Sequence, residues 1–165
     1  NASFTRSPVV EFRMRASERF PTYLSDVVVA VGLDSLYDAL MDTGSFTTRG
    51  ILFDTGSARL RPESRPVREQ IRNTLEDHAE LAIVIEGHTD SVGDDASNLE
   101  LSQARAEAVV AHLVASRIDS GRLQASGKGE TEPTADNETA EGRQQNRRVV
   151  IRLAGDAAAG QEGTP

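Results

Sequence analysis

The chain has 165 residues, 38% of them hydrophobic and 4% aromatic, which suits one domain of ordinary size with an appendage and is too little for two. Eighteen basic residues against 26 acidic ones leave a net charge of −8, so a polyanion meets repulsion over most of the surface and general nucleic-acid binding is excluded. With no cysteine there is no disulfide, thiolate metal site or thiol nucleophile. No apolar run approaches the roughly 18 residues needed to span a bilayer, and the start lacks a basic-then-apolar signal. The chain reads as soluble material, with any signal or lipid anchor lying outside it.

In chain order, Val9, Val10, Phe12 and Met14 form a strand-like patch with Arg13 and Arg15 interleaved, and Asp26 to Gly32 is a second apolar run. Leu33, Leu36, Tyr37 and Leu40 recur at helical spacing before Gly44, which predicts a short helix stopped by glycine. Residues 1–46 are expected to be an N-terminal extension or the end of an upstream module. The main domain is expected over 47–153.

That domain opens with a predicted strand, Thr47 to Phe53, and a turn, Asp54 to Ser57. A helix follows from Glu63 to Glu76, with Ser64 as cap, Pro66 tolerated in the first turn and Val67, Ile71 and Leu75 as its apolar stripe. Leu81 to Glu86 is short, β-branched and closed by Gly87, the pattern of a well-buried strand. After a loop, His88 to Ser97, a helix is expected from Asn98 to Ser116 with Ala106, Val109, Val110 and Leu113 facing inward. A weaker strand over Arg122 to Gly127, a short polar helix over Glu138 to Gln145 and a final strand over Arg148 to Leu153 complete it. Residues 154–165 are small and polar with no periodicity and read as a disordered tail. The alternation implies an α+β fold: a two-layer sandwich of order β/α/β/α/β-β whose mixed sheet carries its helices on one side. The helix-containing crossovers require part of that sheet to be parallel.

The chemistry concentrates in Gly87-His88-Thr89-Asp90-Ser91-Val92-Gly93 and the helix after it. A loop at a strand's carboxyl end leading into a helix is where such folds place ligands, and the first-turn N–H groups of that helix are open to an anion. Arg105 lies about 40° around the helix from Val109, at the edge of the buried stripe. A carboxylate and a guanidinium at one loop mouth suit a zwitterion, with Asp90 taking an ammonium and Arg105 clasping a carboxylate. On spacing alone, a simple structural ion pair between Asp90 and Arg105 fits equally well.

Several separated motifs add to this: the Gly87–Gly93 run, then Asn98, Leu101-Ser102, Arg105-Ala106 and Val109, then Gly142-Arg143 and Asn146-Arg147-Arg148-Val149. Phe53-Asp54, Ser57, Leu60 and Pro62-Glu63-Ser64 precede them in order. Together, over about Ile51 to Leu153, they resemble the peptidoglycan-associating OmpA-like C-terminal domain, the family of OmpA, the Pal lipoprotein and the stator protein MotB. The resemblance implies a β/α sandwich that binds the peptide stem of peptidoglycan noncovalently, through the free amino-acid end of meso-diaminopimelate. It carries the ligand-binding aspartate to Asp90 and the arginine to Arg105. Asn98, Leu101 and Thr89 join the expected set, with Arg147 as the closing-motif arginine and Arg148 its rival. It also implies a non-enzymatic protein without cofactor or metal, held in the periplasm of a Gram-negative bacterium. Its partners would be peptidoglycan, the outer membrane through an anchor or barrel outside this stretch, and envelope proteins or a second copy in a homodimer.

Other signals weigh less. An envelope protein–protein adaptor that uses the domain as scaffold is the alternative function, resting on residues 1–46 and the acidic surface. His88 beside Asp90 suggests a hydrolase, but no nucleophile elbow accompanies it and neither His78 nor His112 has metal-ligand spacing to it; a loop-anchoring histidine is the expected role. Gly127-Lys128-Gly129-Glu130 lacks the full phosphate-loop pattern and reads as a turn. Asp94 and Asp95 lack calcium-loop spacing and read as a solvated acidic loop.

Overall fold

The computed structural model describes residues 36–155; the strand-like patch at Val9–Met14 and the apolar run at 26–32 lie outside them. Four helices and four strands follow one another as α1 (Leu36–Thr43), β1 (Ser45–Thr48), α2 (Arg65–Asp77, entered through a 3₁₀ turn at Pro62–Ser64), β2 (Ile83–His88), α3 (Asp95–Ala115), β3 (Leu123–Gly129), α4 (Ala140–Asn146) and β4 (Val149–Leu153). The sheet order is β1-β4-β2-β3. β4 pairs antiparallel with both β1 and β2, and β3 lies parallel to β2. The three strands joined by helical crossovers therefore point one way and the last strand runs against them, the mixed α+β sheet expected.

The core forms where alternate strand residues meet the helical stripes. Ile83 and Ile85 of β2 and Val149 and Ile151 of β4 are buried with Ile71 and Leu75 of α2 and with Ala106, Val109 and Leu113 of α3. Val67 and Val110, at the stripe edges, are half-buried. Leu36 and Leu40 of α1 are each 1% exposed in this same core, so the end of the stretch expected as an extension supplies part of the domain, and the fold starts before Thr47.

Boundaries moved where side chains capture the backbone. The first strand is Ser45–Thr48, earlier and shorter than the predicted 47–53. Beyond it, Thr48 Oγ1 accepts from Gly50 N at 3.0 Å, and Leu52 is taken out of the sheet by Ser64, whose Oγ accepts from Leu52 N at 2.7 Å and donates to Leu52 O at 3.0 Å. Ser64 thus ties a loop to α2 and makes no side-chain capping bond. Phe53 keeps a single antiparallel bridge to Leu60. α3 begins three residues earlier than expected because Asp94 caps it, its carboxylate accepting from Ser97 N at 3.1 Å. β3 continues through Gly127-Lys128-Gly129, which was expected to be a turn, with a register shift between Gly87 and His88 on its neighbour. Ala154 N still donates to Ala82 O at 2.9 Å, so sheet pairing extends one residue into the expected tail.

The contact that sets the site lies between α3 and the sheet. Gly87 on β2 and Gly127 on β3 are register partners. A Cβ on Gly87 would come within 2.3 Å of Ser102 O, and one on Gly127 within 2.6 Å of Gln103 N. The helix backbone therefore rests directly on two bare strand positions.

Candidate functional site

Asp90 follows β2 in the loop that leads to α3, and the loop is pinned from below. Asn98, 6% exposed, donates through Nδ2 to Asp90 O at 3.2 Å and to Glu130 Oε2 at 2.6 Å, with Val92 O at 3.3 Å. Thr89 N donates to Gly129 O at 2.8 Å. The Asp90 carboxylate accepts from Val92 N at 3.2 Å through Oδ1 and from Arg147 Nη1 through Oδ2. Its side chain is 12% exposed, against 48% for Arg147, so a fixed anion faces a cation with room to move.

Arg147 is aimed by Asn146, which is fully buried and holds the loop before α4. Asn146 Oδ1 accepts from Thr134 N at 2.8 Å and Ala135 N at 3.0 Å, while Nδ2 donates to Ala135 O at 2.9 Å and Asn137 Oδ1 at 2.7 Å. Arg148 turns the other way into the protein, donating to Glu132 O at 2.9 Å and Asn146 O at 3.3 Å. Of the two rival arginines, Arg147 is the one that reaches Asp90.

Arg105 approaches from α3. Its Nε donates to Ser57 O at 3.0 Å and its guanidinium carbon sits 5.1 Å from the centre of the Phe53 ring, a hydrogen bond and a cation–π contact that hold the fork in place. Burial lowers its pKa, the charge of Asp90 acts against that shift, and Arg147 adds to it; the group remains a cation at neutral pH. Arg105 makes no ion pair with Asp90, whose partner is Arg147. The simple Asp90–Arg105 bridge is therefore not formed.

Arg105 and Arg147 line an open cleft of about 250 Å³ together with Leu52, Phe53 and His88, and Asp90 joins it through Arg147. Asn98 lies beneath the loop. Leu101 is half-buried, and neither it nor Thr89, which is buried, is a cleft-lining residue. The expected anion site on the first turn of α3 is filled by the Asp94 carboxylate. Sequence reasoning missed Asn146 as the residue that sets Arg147, and the roles of Phe53 and Ser57 as the platform for Arg105. Their place in the matched opening motif was the available signal.

His88 does not anchor the loop through its ring. It is 3% exposed, neither ring nitrogen has a hydrogen-bond partner in the protein, and it forms no dyad with Asp90. Burial first, then the Arg148 charge, lowers its pKa from 6.5 to about 4, with Glu132 and Glu86 acting in opposition and Lys128 adding to the decrease. The unfolded chain thus takes up this proton at a higher pH than the folded one, so stability is lost as pH falls from 6.5 through 4. The loss from this group is about 3 kcal/mol. Urea unfolding at pH 7 and pH 4 measures it: His88→Leu should remove roughly this share of the acid-induced loss, and an unchanged pH dependence would refute the assignment.

The chain is an α+β domain with a small mixed sheet and a charged cleft where β2 ends and β4 begins. The chain belongs to the OmpA family, which it matches over residues 52–147. It is 42% identical over 103 residues to Outer membrane protein A of Bordetella avium, covering 62% of this chain and 53% of that protein; it thus spans about half the length of that curated relative. Among solved structures, it is 34% identical to the cell wall anchor of the T6SS from Pseudomonas aeruginosa, with a TM-score of 0.58 over 72% of this chain and 92% of that one. With the peptidoglycan-associated lipoprotein from Burkholderia pseudomallei the identity is 28% and the TM-score 0.60, over 72% of this chain and 98% of that one.

Proposed function

We propose that this chain is a non-catalytic wall-binding module that grips peptidoglycan through the free amino-acid end of meso-diaminopimelate in the stem peptide. The observation that carries the reading is that Arg147 and Arg105 line one cleft, with the Asp90 carboxylate bonded to Arg147 beside it and its charge felt by Arg105. An ammonium placed against Asp90 takes over the field that Arg147 now satisfies. Arg147, half outside the protein, is then free to share the ligand carboxylate with Arg105. Phe53 and Leu52 supply the apolar floor for the methylene stem. Membership of the OmpA family, and solved relatives described as a cell wall anchor and a peptidoglycan-associated lipoprotein, support the coarser part of the reading, association with the wall. One amino-acid head offers few contacts, so each site binds weakly and attachment comes from many copies on a polymeric sacculus. The module would work on the periplasmic face of a Gram-negative outer membrane.

The test is retention on purified sacculi. Arg105→Ala removes one hydrogen bond and one cation–π contact, a cost of about 1–2 kcal/mol to the fold. It should lower retention at least about tenfold, because the fork opposite Asp90 is gone. A cooperative thermal transition in the variant shows that the fold persists; unaltered retention would reject the reading.

A further inference from the structure

The cleft holds more positive charge than one zwitterion uses. Arg49, Arg105, Arg147 and Arg148 line it, and no aspartate or glutamate does. The neighbouring carboxylate, Asp90, is bonded to Arg147. In a chain of net charge −8, this is a local reversal of sign at the opening where a ligand enters. Arg105 and Arg147 have roles in the reading above, and Arg148 is held in the wall by main-chain oxygens.

Arg49 differs from all three. It follows β1 directly, is exposed, and forms no hydrogen bond or ion pair among the described residues. Its charge is felt by Arg148, whose pKa is lowered first by burial and then, against the pull of Glu132, by Arg49 among its cationic neighbours. Glu132 and Glu86 offset part of the charge of Arg148, whereas Arg49 has no carboxylate bonded to it among the described residues, so an anion placed beside Arg49 in the cleft is attracted to an uncompensated cation.

We propose that Arg49 forms a second anion subsite of this cleft, receiving a carboxylate other than the one gripped by Arg105 and Arg147. The preferred ligand then presents at least two free carboxylates, the one on the gripped amino-acid head and a second within reach of Arg49. The inference rests on the wall-binding reading and sharpens its ligand. A γ-linked glutamyl residue next to the diamino acid leaves its own α-carboxylate free, and the peptide-chain carboxyl of the diamino acid is another source of the same group.

Calorimetric titration of the chain separates these possibilities with four probes. They are free meso-diaminopimelate, the tripeptide alanyl-γ-glutamyl-meso-diaminopimelate, that tripeptide amidated at the glutamyl α-carboxyl, and that tripeptide amidated at the peptide-chain carboxyl. One of the two amidations should weaken binding about tenfold, the worth of one charge-assisted fork contact, and thereby name the source. Arg49→Gln should abolish that difference; affinity for free meso-diaminopimelate, which itself carries two α-carboxylates, should stay unchanged where the glutamyl amidation is the one that weakens binding and should fall alongside it where the peptide-chain amidation is. Arg49 has no bonds to lose, so the variant should melt with the parent chain. Free meso-diaminopimelate binding with neither amidation having an effect, or discrimination that survives Arg49→Gln, would overturn the subsite alone. Failure of every probe to bind would overturn the wall-binding reading as well.

Discussion

Asp90→Asn should weaken binding of meso-diaminopimelate about a hundredfold, a loss of roughly 2.7 kcal/mol, in the range for removing the charge from one side of a shielded ion contact. The substitution is nearly isosteric. Asn keeps an oxygen for the Val92 N–H, which now bonds Oδ1 at 3.2 Å, and the loop remains tied by Asn98 from beneath. What disappears is the negative charge that an ammonium would neutralise. Arg147 loses its partner too, but at 48% exposure water can solvate it, so the cost to stability stays within about 1 kcal/mol. Calorimetry with meso-diaminopimelate, paired with a thermal melt, reads both quantities. Parent-like affinity in a folded Asp90→Asn chain would show that the carboxylate serves only the loop.

The second large effect falls on the fold. Gly87→Ala places a methyl group 2.3 Å from Ser102 O and 3.1 Å from Ser102 C, atoms of a helix backbone that cannot rotate aside. α3 must lift, and overpacking of this kind costs about 3 kcal/mol or more. Because Arg105 rides on α3 and Asp90 on the loop after β2, the lift also widens the gap between the two charges. Urea unfolding should report the lost stability, and binding measured well below the unfolding midpoint should weaken as well. If stability and binding both match the parent chain, the close approach of helix and strand has no energetic weight.

The architecture was readable wherever a pattern repeats along one element. The stripes Val67-Ile71-Leu75 and Ala106-Val109-Leu113 and the β-branched run at 81–86 predicted the helices and the buried strand that are found. Failures occurred where one side chain or one bare position overrides pattern. Gly127 and Gly129 were read as punctuation because a glycine that makes room for a helix looks, in one dimension, like a glycine that turns the chain. Thr47 to Phe53 reads as one strand, yet Ser64, twelve positions from Leu52, ends it. At the site, Asp90 and Arg105 were legible by type and by family resemblance. The choice of Arg147 as partner of Asp90 was not, since it depends on Asn146, buried at the end of α4 and bonded to the loop that precedes that helix.

The place of β4 has a consequence for how the domain is made. The final strand lies between β1 and β2, hydrogen-bonded to both, so until it inserts, the two earlier strands have no common neighbour and the sheet is in two pieces. Nucleation from local hairpins is unavailable to such a topology, and assembly waits on a long-range closure. Arg147 lies two residues ahead of that strand, so the step that completes the sheet also brings this cleft arginine to Asp90.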